Sequence, residues 1–346
     1  MTHGAIDLGK RMSQICILKE DGELVERRIR TERDRFAAVL QAYPRMRILL
    51  EAGTESEWVA RCLEEPGHEV IVADPNYAPM YAQRQRKVKT DRRDARALVE
   101  ACRLGAYRPA HRTSEAQRQV RWHITTREAL VRMRARTLVL IGSLVRQAGL
   151  RLPGGKAETF ASRLGTLALP QPLQDAVTPM LLAFETLNRQ VAAADRALDD
   201  LVRSDPRVRR LQTAPGVGPI IAATFVATVD RAERFSGPHQ AEAYLGLVPR
   251  EYSSGEHQAR GRITKAGNTR LRYLLIEGAW SILNHPKPET AALRGWALRI
   301  AVRRGKPRAV VALARKLAGI LFAMMRDNTV FDSGRFSLPS RVARVA

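Results

Sequence analysis

Cysteine is scarce in this chain and forms no motif. Cys16, Cys62 and Cys102 are the only three, and no two stand in C-x-x-C spacing. That excludes a disulfide framework and points to a reduced, cytosolic setting, so the expected localisation is cytoplasmic. The seven histidines show no H-x-x-x-H pair and no Cys/His cluster, which argues against zinc. The N-terminus lacks the apolar core of a signal peptide. The most apolar later run, residues 317–325, is far too short to span a bilayer. Acidic residues are few beside basic ones, 35 Asp and Glu against 58 Lys and Arg, for a formal charge of +23 and a pI near 11.0. Such an excess calls for a polyanionic partner. Nucleic acid comes before a membrane, because no basic amphipathic helix carries an aromatic-rich face. Arginine supplies most of the charge, and its planar fork suits phosphate oxygens and base edges. At 346 residues the chain is long enough for two or three domains with cores of their own.

Within the N-terminal part, residues 1–112, the pattern reads as three strands, a helix, then strand, helix, strand, helix. The first strand carries G-A-I-D-L-G at residues 4–9, and residues 12–18 and 23–29 follow as strands. Helix is expected at 33–42, strand at 47–50 ending on Glu51, helix at 56–65 and strand at 70–73. This is the order of an α/β ribonuclease-H-like domain, a fold with one acid in the middle of its first strand and another at the end of its fourth. Asp7 and Glu51 occupy those places. Residues 87–98, K-V-K-T-D-R-R-D-A-R-A-L, read as the last helix, with Asp91 and Asp94 three apart and hence on one face.

Two acids at that spacing repel unless a cation or proton lies between them, although such pairs are also common on solvated helix faces. Four carboxylates at one spot suit hard divalent ions, Mg²⁺ or Mn²⁺, which take oxygen ligands. A pair of such ions can clamp the attacking and leaving oxygens of a phosphoryl transfer. Lys87, Lys89, Arg92, Arg93 and Arg96 crowd the same turns and suit phosphate. Asp74 and Glu55 are decoys by position: Asp74 reads as a turn cap before Pro75, and Glu55 as an early residue of the following helix. A strand-Asp-Gly opening also begins actin-like ATPases and sugar kinases. Those need a second, similar phosphate loop half a chain later, and there is none here.

The middle, residues 113–203, reads as a helical coiled-coil arm. Residues 117–147 form a long helical stretch, and Thr178-Pro179 reads as an N-cap and first helical residue. The apolar series Met180, Phe184, Leu187, Val191, Ala194, Leu198, Leu201 alternates in threes and fours, a heptad seam for pairing within the chain or between subunits. The last part, residues 204–346, is mostly helical, and from Asp205 onward carries 24 Lys and Arg against 10 Asp and Glu, a net +14. A-P-G-V-G-P at 214–219 resembles a helix-hairpin-helix turn whose Gly216 and Gly218 expose backbone N–H groups to phosphate; it is equally an ordinary helix connection. Ser254 lies between Arg250 and the basic, glycine-rich loop of Arg260, Arg262 and Lys265. A serine there could attack phosphorus and conserve the phosphodiester's energy in a covalent link. Flanking arginines would neutralise the transition-state charge.

Taken in order, A-I-D-L-G-K, L-E-A-G-T, K-T-D-R-R-D-A-R, P-G-V-G-P, Y-L-G-L-V-P-R-E-Y-S-S-G and R-G-R-I-T-K-A-G-N resemble the DEDD transposases of bacterial insertion sequences. That family is related to pilin-gene invertases and is described as bridge-RNA-guided serine recombinases. The resemblance spans nearly the whole chain. It implies a Holliday-resolvase-like (RuvC-like) domain in which Asp7, Glu51, Asp91 and Asp94 hold metal. It implies a nucleophile at Ser254, with Ser253 the adjacent alternative, and a 5′-phosphoserine intermediate. It further implies strand exchange on double-stranded DNA through a Holliday junction, a structured guide RNA, and a dimer of dimers in which acids and serine meet across subunits. Two other functions remain: a metal-dependent junction nuclease with no covalent intermediate, and a non-catalytic, basic nucleic-acid-binding protein.

Overall fold

The computed structural model describes residues 1–81, 90–254 and 257–336, with the backbone alone for 253, 254, 257–260 and 336. The chain forms two compact units, Met1–Thr113 and Ser114–Ala346.

The first unit is a mixed sheet with helices on both faces. Its elements are β1 (His3–Asp7), β2 (Met12–Leu18), β3 (Leu24–Arg30), α1 (Arg33–Leu40), β4 (Arg47–Glu51), α2 (Ser56–Glu64), β5 (Glu69–Ala73) and α3 (Asp91–Leu104). The strand order is β3-β2-β1-β4-β5. β1 runs antiparallel to β2 and parallel to β4, and β4 runs parallel to β5. Side chains alternate between the faces, so neighbouring apolar residues enter different cores. Ile6, Ile48 and Leu50 pack with Phe36, Leu40, Val59 and Leu63 of α1 and α2. Ala5 and Leu49 pack with Ala95, Leu98 and Cys102 of α3. A sheet covered on both faces explains why β4 reads R-I-L-L-E, apolar throughout its middle, rather than alternating.

The second unit is helical apart from one hairpin. It holds α4 (Glu115–Gln147), α5 (Phe160–Leu164), α6 (Gln171–Val202), α7 (Pro206–Leu211), α8 (Pro219–Val229) and α9 (Pro238–Tyr244). The hairpin of β6 (Pro249–Ser254) and β7 (His257–Ile263) follows, then α10 (Thr269–Asn284), α11 (Ala291–Arg304) and α12 (Lys306–Asp327). Among the described residues no helix is long and apolar enough to cross a membrane.

α4 and α6 pair as an antiparallel hairpin. At its far end Ile141 and Val145 pack with Val177 and Phe184, and at its near end Val120 and Ile124 join Leu198 and Val202 in the main core. The heptad seam therefore finds its partner in α4 of the same chain, with Val177, Phe184, Val191 and Leu198 all buried at intervals of seven. The arginines that interrupt the apolar pattern of α4 also point inward: Arg127 pairs with Asp195, and Arg134 with Glu158 and Asn188.

Two sequence expectations change here. The arm at 113–203 and the part from 204 cluster as one unit, because the near ends of α4 and α6 are built into the core made by α8, α10 and α12. Thr178-Pro179 does not start a helix. α6 begins at Gln171 and runs through Pro179, with the Thr178 hydroxyl donating to the Gln174 carbonyl at 2.7 Å. A proline inside a helix forfeits one backbone hydrogen bond. Burial of Val177, two residues earlier, against Phe184 and Phe160 offsets that loss.

Candidate active site

The register of the sheet brings two acids together. Ala5 stands opposite Leu49 and Ile6 opposite Leu50, so Asp7 and Glu51 end adjacent parallel strands at the same edge. Ala5 and Leu49 face α3, and side chains two residues on share their face. Both carboxylates thus stand on the α3 side of the sheet. Asp7 closes β1 rather than occupying its middle, since the chain turns back at Leu8 and Gly9 to enter β2.

α3 delivers the other pair. Its helix begins later than the sequence pattern implies, at Asp91. Thr90 is the N-cap, and its hydroxyl accepts from the Arg93 N–H at 3.3 Å. Asp91 and Asp94 both lie in this first turn, where the helix dipole favours negative charge. Asp94 is 5% exposed, at the head of the buried stripe Ala95, Leu98 and Cys102, whereas Asp91 is exposed. All four acids line one cleft of about 370 Å³, together with Met12, Pro75 and Tyr81. Among the described residues no three His, Cys, Asp or Glu stand close enough to hold an ion as placed. The donors are carboxylate oxygens throughout, the chemistry that hard divalent cations take, so the residues fit such an ion by type.

Tyr81, which sequence reasoning missed, donates its hydroxyl to Glu51 Oε1 in this cleft. No spacing rule singles it out; only folding brings it to the strand end. The decoys are engaged elsewhere. Asp74 accepts from the Asn76 N–H at 2.9 Å and pairs with Arg108, which together hold its carboxyl below the usual range. Glu55 accepts from the Trp58 indole N–H.

Of the basic residues expected on phosphate, Arg92 together with Arg96 grips Glu26 of β3. These two guanidiniums, Arg96 first, hold the Glu26 carboxyl down at about 2. Arg93 is exposed, and Lys89 lies outside the described residues.

In the second unit Ser254 ends β6, where the register sets it opposite His257 and sets Ser253 opposite Gln258. The side chains of Ser253, Ser254 and Arg260 lie outside the described residues; Arg250, Arg262 and Lys265 are exposed. The loop after β7 is fastened from below. Arg272 of α10, buried, donates to the carbonyls of Leu245 at 3.0 Å and Ala266 at 2.6 Å. A side chain at Gly267, where φ is +70°, would place its Cβ 2.0 Å from the Tyr244 carbonyl oxygen. The glycine of K-A-G-N therefore serves close packing against α9.

The same holds for half of the P-G-V-G turn. Gly216 has φ +73°, and a Cβ there would lie 2.5 Å from the Gly278 carbonyl oxygen of α10, whereas Gly218 is exposed with nothing near its Cβ position. Gly216→Ala is expected to destabilise the unit by about 1–3 kcal/mol in denaturant melts, while Gly218→Ala stays within about 0.5 kcal/mol. A Gly216→Ala protein that melts like wild type but loses DNA affinity would assign Gly216 to phosphate instead.

Comparison with known proteins identifies what these two halves are. A transposase model of the DEDD type matches residues 5–149, and the model described as Transposase IS116/IS110/IS902 family matches residues 208–294. The "Probable family 20 transposase" of Pseudomonas aeruginosa is 31% identical over 335 residues, covering 95% of this chain and 98% of that protein. This chain belongs to the IS116/IS110/IS902 transposase family. The transposase is also 30% identical to the "Transposase for insertion sequence element IS1111A" of Coxiella burnetii, over 95% of this chain and 91% of that protein. With the "Transposase for insertion sequence element IS1328" of Yersinia enterocolitica it shares 28% over 94% of this chain and 97% of that protein. The first match ends just past α4, and the second takes in the P-G-V-G turn, the serine hairpin and α10. The transposase thus carries its four cleft acids in one matched segment and Ser254 in the other.

Proposed function

We propose that this insertion-sequence transposase cuts and exchanges DNA strands with Ser254 as nucleophile, assisted by divalent ions in the cleft of Asp7, Glu51, Asp91 and Asp94. The observation that carries the reading is the convergence of those four acids from two strand ends and one helix start. The strand order β3-β2-β1-β4-β5, with an acid at the adjoining ends of β1 and β4, supports a ribonuclease-H-like, RuvC-like domain. Mg²⁺ or Mn²⁺ held there would supply positive charge to phosphate oxygens. Ser254 Oγ attacks phosphorus, the new O–P bond forms as the bond to the departing 3′-oxygen breaks, and that oxygen takes the proton. The 5′-phosphoserine keeps the phosphodiester's energy, so a second 3′-hydroxyl can reverse the step and join strands. Exposed Arg250 and Arg262 on the same hairpin are suited to neutralising the pentavalent phosphate.

We further propose, as the motif resemblance implies, a guide RNA as partner and a dimer of dimers in which one copy's acids serve another's serine. Apolar residues left exposed on α4 and α6, among them Met133, Val139, Leu140 and Leu182, are suited to contact between copies. The test is a denaturing gel of protein, labelled element-end duplex, RNA and Mg²⁺. An adduct that maps to Ser254 supports the reading; hydrolysed strands with no adduct mean a nuclease, with the serine only a hairpin residue.

Tyr81 orients Glu51 in this scheme. Loss of such a partner typically costs a carboxylate site roughly ten- to a hundredfold in metal affinity. Tyr81→Phe should weaken Mg²⁺ binding by that factor in calorimetry and shift the Mg²⁺ dependence of nicking equally. Unchanged calorimetry would reduce Tyr81 to a packing role.

A further inference from the structure

The junction of α11 and α12 gathers positive charge that nothing around it neutralises. Between Glu289 and Asp327 the chain has no acidic residue and nine Lys or Arg. Six of these are exposed; Arg326 pairs with Asp327, and the other five are Arg299, Arg303, Arg304, Lys306 and Arg308, with residues 302–308 exposed without a break. Among the described residues none of the five pairs with a carboxylate. Several exposed arginines elsewhere are matched locally, among them Arg103 with Glu100, Arg132 with Glu128, Arg203 with Asp199 and Asp200, and Arg326 with Asp327; the corner differs in setting five unmatched cations within ten residues.

Stability does not account for the arrangement. Like charges this close repel, and Lys306 and Arg308 stand in the first turn of a helix, where the dipole disfavours cations. Val302, 88% exposed, is the large apolar residue of the corner, and no Phe, Tyr or Trp occurs in residues 297–308. A surface for unpaired strands stacks bases on open aromatic rings; the nearest ring, Trp296, is half-buried and already carries the Lys316 ammonium over it.

We infer that this corner docks the phosphate backbone of double-stranded DNA, using residues other than those of the acid cleft and the serine hairpin. The inference rests on the family's action on DNA, and not on the assignment of nucleophile or metal. Backbone contacts of this kind set where and how a duplex lies without reading its sequence.

The experiment measures binding of the full chain to a duplex and to an RNA stem-loop by fluorescence anisotropy, in EDTA, across a range of KCl. Each phosphate contact contributes about 0.9 to the slope of log affinity against log salt. The variant Arg303→Gln/Arg304→Gln/Lys306→Gln/Arg308→Gln is expected to flatten the duplex slope by roughly 3 to 4. It keeps the wild-type melting temperature, since it removes only exposed, mutually repelling charges. The comparison variant Arg103→Gln/Arg132→Gln/Arg203→Gln/Arg326→Gln loses the same net charge from paired positions and keeps the wild-type slope. An unchanged duplex slope in the first variant, whatever the stem-loop does, overturns the inference, and so does an equal change in the second. Because EDTA silences the chemistry, a protein that forms no serine adduct still gives a clear answer here.

Discussion

A Ser254→Ala protein leaves no denaturation-resistant protein–DNA adduct, and its strand exchange falls by roughly a thousandfold or more. The expectation follows from the chemistry: without an Oγ there is no bond in which to hold the phosphodiester's energy between cleavage and joining. Duplex affinity stays near wild type, since the arginines and lysine around the hairpin remain. Ser253→Ala separates the adjacent candidate. An adduct that survives Ser254→Ala but vanishes in Ser253→Ala would move the nucleophile by one residue. An adduct that survives both would end the serine mechanism.

The second large effect belongs to the acids. Asp94→Asn preserves shape and removes one charge from a buried position at the start of α3. Strand cleavage should drop about a thousandfold at saturating DNA, as expected when a charge-stabilising group is lost from a phosphoryl-transfer site. Asp7→Asn should do the same. The comparison is Asp74→Asn, one residue beyond β5: its carboxylate is engaged by the Asn76 N–H and Arg108, so cleavage is unaffected. Cleavage that withstands both Asp7→Asn and Asp94→Asn would mean that the cleft takes no part in the reaction.

Much of the first unit was legible because its signals are local. Strands β1, β4 and β5 follow short apolar runs, and Asp7 and Glu51 stand at run ends. Pro179 misled because a helix start was inferred from one residue, while burial of Val177 and Phe184 decided the matter across two helices. Arg92 read as a phosphate ligand because its partner Glu26 lies on β3, distant in the chain. Tyr81 gave no signal at all, since a tyrosine acquires meaning here only by reaching Glu51. The basic corner at 302–308, V-R-R-G-K-P-R, stands out only in the structure, where the whole run is exposed at one helix junction.

The order of residues alone settled the charge, the alternation of strands and helices, the place of Glu51 at a strand end and the kinship that the motifs carry. Which acids meet was decided by folding. Strands β1 and β4 become neighbours through a register that no local pattern encodes, and parity then turns Asp7 and Glu51 toward α3. Periodicity reports which face of an element is apolar, because burial rewards that face wherever it packs. It does not report which other face it will meet, because that depends on pairing between segments far apart in the chain.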